Sequence, residues 1–123
     1  MRLADVTDGT SNTLLLGERN HWDPVYDRLC PNDQLITNGW WAYAGTADVL
    51  LSAAVPLNYQ VPASATSCDA VKADRLCAFG SRHPGGANFA FADGSVQFLS
   101  DSTPLALLQA LSTRDGGEVA NLP

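Results

Sequence analysis

Two stretches of this chain gather residue types that do chemistry. The first runs from Ser81-Arg82-His83-Pro84-Gly85-Gly86 through Asn88 to Asp93-Gly94-Ser95, with nine residues between His83 and Asp93. Ser11, Ser81 or Ser95 as nucleophile, His83 as base and Asp93 as orienting acid would supply the residue types of a hydrolase. The second is the opening run, where Asp5, Asp8, Thr10 and Asn12 offer the hard oxygen ligands that calcium takes.

Neither stretch carries the spacing that its chemistry needs. No Gly-x-Ser-x-Gly elbow surrounds a serine, and a turn accounts better for Asp93. There is no phosphate loop, no His-Glu-x-x-His and no dinucleotide fingerprint. The chain has thirteen acids, and nothing singles out a pair for glycoside cleavage. His83 is expected to pin its loop by hydrogen bonding, ahead of ligating a metal or acting as a base. For calcium, the EF-hand template fails: with Gly9 as its sixth position, Ala4 and Leu15 would hold the first and twelfth. A turn bonded to its own backbone through Asx and Ser/Thr side chains is the simpler account of residues 8–13. Calcium is the one cofactor for which ligands are offered, and no enzyme activity is expected.

The elements that position these residues begin with a hairpin. Asp-Gly between two apolar runs signals a tight turn, because both central residues of a type I′ turn need positive φ. With Asp93-Gly94 as a two-residue turn, Phe91 faces Val96, Ala90 faces Gln97 and Phe89 faces Phe98. Phe89, Phe91, Val96 and Phe98 then share the core face, and a slip of one residue would destroy that match. Before the hairpin, Pro84 pushes His83 towards extended backbone. Gly85 and Gly86 admit angles that other residues avoid.

Elsewhere, residues 14–18 read as a short buried strand ended by Gly17. A carboxylate at the end of such a strand, Glu18, needs a partner, and Arg82 or His83 would join it to the hairpin loop. Residues 21–33 read as irregular. Trp40-Trp41-Ala42-Tyr43 reads as a strand, residues 47–55 as strand or helix, and residues 58–75 as an exposed excursion. Thr103 caps a helix that starts at Pro104. Leu105, Leu108 and Leu111 share its face, and Asp115-Gly116-Gly117 stops it.

Composition narrows the function. The chain has 123 residues, 46% hydrophobic and 16% charged, enough for one domain over 1–123 with a real core. A net charge of −6 argues against nucleic acid, whose phosphates require Lys and Arg. Residues 49–57, the longest nearly apolar stretch, fall far short of the roughly 20 needed to span a bilayer. Cys30, Cys68 and Cys77 form no Cys-x-x-Cys pair, which disfavours structural zinc. A Cys68–Cys77 disulfide would close a short polar loop and suit an oxidising exterior. Cys30 is then free, intermolecular or paired with one of the two; a Cys30–Cys77 bridge is one alternative, and three reduced core thiols are another. Trp22, Trp40 and Trp41 are core residues or, if exposed, a glycan or peptide platform with Trp40 and Trp41 at its centre.

The run from His83 to Gly94 resembles the prepilin-type processing-associated H-X9-DG domain, a bacterial family of pilin-like surface proteins. Its motif positions here are His83, Gly85, Gly86, Asn88, Asp93 and Gly94. The opening run Asp5-Val6-Thr7-Asp8-Gly9-Thr10-Ser11-Asn12-Thr13-Leu14-Leu15-Leu16-Gly17-Glu18-Arg19 is similar to a second stretch of that family. The tail Leu111-Ser112-Thr113-Arg114-Asp115-Gly116-Gly117-Glu118-Val119 is similar to a third. Such proteins usually begin with a leader and a long apolar helix, and no such stretch stands in these letters. The resemblance implies structural roles for Asp8, Gly9, Asn12 and Glu18, and a slightly better case for calcium. The expectation is an α+β fold: a pilin-like antiparallel sheet with a short C-terminal helix. The expected role is a structural subunit of an extracellular filament or cell-surface assembly, a homo-oligomer or homopolymer without nucleic acid or membrane span.

Overall fold

The structure is a computed structural model that describes residues 2–39, 42 and 45–118. Its sheet is antiparallel, in the order β1 (Leu14–Gly17), β2 (Gly86–Phe91), β3 (Val96–Ser100). Among the described residues three α-helices accompany it: α1 (Pro24–Leu29), α2 (Cys68–Cys77) and α3 (Leu105–Leu111). This is an α+β fold with a short C-terminal helix, as expected.

The hairpin forms at Asp93-Gly94, but its loop has three residues. Gly94 N–H donates to the Phe91 carbonyl and Phe91 N–H to the Ser95 carbonyl, both at 2.9 Å. Only Gly94 takes a positive φ, +87°, whereas Asp93 stays on the ordinary side. A type I turn followed by one left-handed residue gives this pattern. The extra loop residue shifts the register by one, so Ala90 pairs with Val96 and Phe89 with Gln97. The pairing read from a two-residue turn is therefore overturned. Ala87, Phe89, Phe91 and Leu99 are buried, while Val96 (68% exposed) and Phe98 (50%) face outward. What holds this register is the other side of the core: Leu108 and Leu111 of α3, with Ala53 and Leu57, pack against that face.

Gly86 opens β2 at a contact that admits no side chain, since a Cβ there would run into the Leu99 carbonyl oxygen. β1 ends at Gly17, as read, where a Cβ would lie 2.7 Å from the rings of Phe79 and Phe89. It is not a buried strand: among the described residues it pairs with β2 alone, and Leu15 and Leu16 are exposed.

A second core joins α1 and α2 around Tyr26, Cys30, Leu35, Val61, Val71 and Leu76. The irregular reading of residues 21–33 missed α1. Asp23 caps it by accepting from Val25 N–H (3.1 Å) and Tyr26 N–H (3.0 Å), and Pro24 takes the first position. The exposed reading of residues 58–75 likewise missed α2. Asp69 in its first turn and Arg75 in its last suit the helix dipole. Val71, Arg75 and Leu76 turn inward.

Asp23 and Arg75 form a buried ion pair, each 1% exposed, at 2.9 Å. The Asp23 carboxylate also accepts from Val61 N–H at 2.8 Å, and Arg75 donates to the Asn20 and Trp22 carbonyls. Every charged end is thus bonded, the condition under which a buried pair is tolerated. Residues 47–55 form neither strand nor helix, making only isolated bridges at Thr46–Leu50 and Ser52–Ala78. Pro104 is itself the cap of α3, displacing Thr103 from that role. The helix closes on Ser112, before Asp115-Gly116-Gly117. Trp40, Trp41 and Tyr43, the bulk of the aromatic strand reading, lie outside the described residues.

Candidate functional site

β1 delivers Glu18 to the start of β2, where its carboxylate meets His83 of the preceding loop and Asn88 of the strand. The Glu18 carboxylate accepts from Asn88 N–H at 2.6 Å and from the Asn88 side-chain amide at 3.3 Å. Its other oxygen lies 3.2 Å from His83 Nε2. The Asn88 N–H bond, with His83 beside it, holds the Glu18 carboxyl below the usual carboxylate range. Ser81 fastens the loop from within: its hydroxyl donates to the Gly86 carbonyl (2.6 Å) and accepts from His83 N–H (3.0 Å). Asn58 and Glu18 hold the approach to the loop, through Asn58 Oδ1 to Ser81 N–H and the Glu18 carbonyl to Gly80 N–H.

The hydrolase residue types do not meet in the order that acyl transfer needs. His83 faces Glu18, while Asp93 accepts from both the N–H (2.8 Å) and the hydroxyl (2.7 Å) of Ser95. Those bonds lower the Asp93 pKa and fix the turn. Gly85 (φ +82°) lets the chain reverse between His83 and β2. The stretch therefore carries a bonded anchor at His83, before β2, and a capped turn at Asp93-Gly94, after it.

The opening run is joined to the tail. Thr7 and Asp8 N–H both donate to the Arg114 carbonyl, at 2.8 and 3.2 Å. The Asp8 carboxylate accepts from Gly116 N–H (2.7 Å), Gly117 N–H (2.9 Å) and the Thr113 hydroxyl (3.3 Å). The two glycine N–H bonds hold its pKa below the usual carboxylate range. Of the other calcium candidates, Asp5 bonds Arg2, and Asn12 donates to the Asp8 carbonyl. Thr13 donates to the Gly9 carbonyl, and Thr10 offers its carbonyl to Asp93 N–H. The run is a turn bonded to itself, to the hairpin and to the tail. Among the described residues, no three His, Cys, Asp or Glu gather as metal ligands.

The disulfide is Cys30–Cys68, with Cα atoms 5.3 Å apart, and Cys77 is a buried free thiol. Cys68–Cys77 is ruled out because the two end one ten-residue helix, roughly 13 Å apart at 1.5 Å per residue. A disulfide spans at most about 7 Å between Cα atoms. Trp22 is 58% exposed, with the Arg82 guanidinium 5.9 Å from its ring centroid. Trp40 and Trp41 fall outside the described residues. Sequence reasoning missed Asp23 and Arg75. The Asp23-Pro24 pair was the available signal, since it marks a helix start.

The sheet, the anchored loop and the tail contact define a small α+β protein whose motif residues act on its own backbone. The chain belongs to the family described as "Protein of unknown function (DUF1559)", whose model matches residues 1–106. This is a family of bacterial surface proteins. The disulfide is consistent with an extracellular location. No curated protein and no solved structure matches the chain. Among the described residues, no helix is long and apolar enough to cross a membrane.

Proposed function

We propose that this protein is a pilin-like structural subunit of an extracellular filament or surface assembly, self-associating through its globular body and without catalysis. The observation that carries the reading is the state of the sheet edges. Neither β1 (Leu14–Gly17) nor β3 (Val96–Ser100) contains a charge or a proline, the usual guards of an edge strand. Both instead present exposed apolar side chains. The H-X9-DG residues fit a structural role, because His83, Gly86, Asn88 and Asp93 each make or permit a backbone contact that shapes the hairpin. Negative-stain electron microscopy of the chain at rising concentration tests the reading. Regular filaments or sheets are expected, and particles that stay dispersed at every concentration would sink it.

A second reading is favoured by Trp22. An exposed indole flanked by Arg82 suits a glycan- or peptide-binding surface. Fluorescence quenching that added glycans relieve would support it, and an indifferent signal would remove it.

A further inference from the structure

We propose that the cavity between β3 and the start of α3 is a binding site for a neutral sugar, one ring in size. The inference is independent of the assembly reading and of the Trp22 surface. Gln97, Ser100, Ser102 and Thr103 give the cavity its polar side chains, and Leu99, Pro104 and Leu107 its apolar wall. Its volume is about 220 Å³. That is below the roughly 300–1,000 Å³ of pockets that hold drug-sized ligands.

The polar groups are available. Among the described residues the Gln97 amide and the Thr103 hydroxyl bond to nothing, although both residues are half-buried. The Ser100 and Ser102 hydroxyls bond each other at 2.8 Å, so one of the two O–H groups remains free to donate. The strand edge adds backbone groups. Phe91 N–H bonds the Ser95 carbonyl at one end of the ladder, and Asp101 N–H bonds the Gly85 carbonyl at the other, both at 2.9 Å. These bonds set the phase, so Phe98, which borders the cavity, turns its N–H and C=O away from β2. A sugar hydroxyl donates and accepts at once, which suits groups of both senses. The C–H faces of the ring pack on the apolar wall.

Charge selects a neutral ligand. Among the described residues no charged side chain lines the cavity. Asp101, between two lining serines in sequence, is turned to the Asn58 amide at 2.6 Å. A carboxylate or phosphate would enter without a counter-charge, on a chain of net charge −6. A peptide strand fits less well at this place. The Ser100 carbonyl already accepts from Thr103 N–H at 2.9 Å, so a ladder running in along β3 would stop at Phe98. The cavity of equal volume beside β1 is of another kind. Leu14, Leu15, Leu16, Val49, Leu50 and Phe79 wall it, and its one side-chain hydroxyl, on Ser112, is bonded to the Leu108 carbonyl at 2.7 Å.

The test follows backbone amide NMR shifts of the full chain titrated with the methyl glycosides of glucose, galactose, mannose and N-acetylglucosamine. At least one is expected to give saturable shifts centred on residues 97–103, with the weak affinity that so small a ligand allows. Thr103→Val and Gln97→Leu should each weaken it about two- to tenfold, whereas Trp22→Ala should leave it unchanged. The amide spectrum of each variant establishes folding, and should one fail to fold, the shift map of the parent decides. No saturable shift with any glycoside up to its solubility limit would overturn the site. Shifts centred on Trp22 and lost in Trp22→Ala would overturn it in favour of that surface. Glucuronate binding as well as the neutral glycosides, or a capped dipeptide binding in their place, would overturn the ligand class. Binding unchanged in both folded cavity variants would overturn the assignment of these side chains. None of these outcomes bears on whether copies associate, which the concentration series in the microscope reads separately.

Discussion

Glu18 and His83 lie sixty-five residues apart in sequence and 3.2 Å apart in space. Between them they tie the end of β1 to the loop that launches β2. The carboxylate does more than meet the imidazole, because its shorter bond, 2.6 Å, goes to the Asn88 N–H inside β2. Removing the carboxylate leaves that donor without its acceptor. Glu18→Ala should therefore cost about 1–3 kcal/mol in denaturant unfolding, and Glu18→Gln less, since the amide oxygen still accepts. Equal costs for the two would mean that Asn88 is not the partner that matters.

Acid should weaken this anchor. The folded pKa of Glu18 lies below its unfolded value near 4.5. Its contribution is thus fully present above that unfolded value and is lost as pH falls through the folded one. Asp8 and Asp93 are lowered too and titrate in the same direction. Melting temperatures followed from neutral pH into acid should fall below about pH 4.5. The Glu18→Gln protein should show a shallower fall, and identical slopes would count against the linkage.

The hairpin register makes its own forecast. Leu99 is buried against α3 and Val96 is exposed, so Leu99→Ala should cost about 2–5 kcal/mol. Val96→Ala should stay within about 0.5 kcal/mol in the dissociated chain. A two-residue turn reverses the order, which makes the pair of substitutions decisive between the registers.

The buried Asp23–Arg75 pair should behave as a unit. Truncating either partner leaves the other charge buried, at about 3–5 kcal/mol. Asp23→Ala also removes the α1 cap. The double substitution Asp23→Ala with Arg75→Met should cost clearly less than the sum of the single ones. Additive costs in a double-mutant cycle would show that the two do not interact.

Peptide mapping without reductant should recover residues 30 and 68 in one linked peptide pair. Cys77 should take up an alkylating reagent only after unfolding. By chain entropy, reducing a bridge between residues 38 apart costs about 4 kcal/mol. A linked pair containing Cys77 would contradict the fold of α2.

Local signals carried much of the fold. Gly17 ended β1, Asp93-Gly94 placed the hairpin, and the leucines at 105, 108 and 111 placed α3. The partner expected for Glu18 near the hairpin is His83. What the letters left undecided needed distant residues. Asp-Gly serves a two-residue loop and a three-residue loop equally, and the packing of Leu99 against Leu108 and Leu111 selects between them. Cys68 and Cys77 look like neighbours until the helix between them is seen. That helix is polar on most of its surface, so its inward face shows only at Val71, Arg75, Leu76 and Cys77. Asp23 reads as one more polar residue in a loop until Val61 and Arg75 arrive from elsewhere in the chain.

The bonds from Thr7 and Asp8 to residues 113–117 bring both flanks of the chain to one spot. Tension applied to those flanks would load this group of hydrogen bonds first, pulling them apart before any strand of the sheet carried strain. Pulled apart at this contact, the two flanks would separate with the sheet and the disulfide-tied helices still folded behind them.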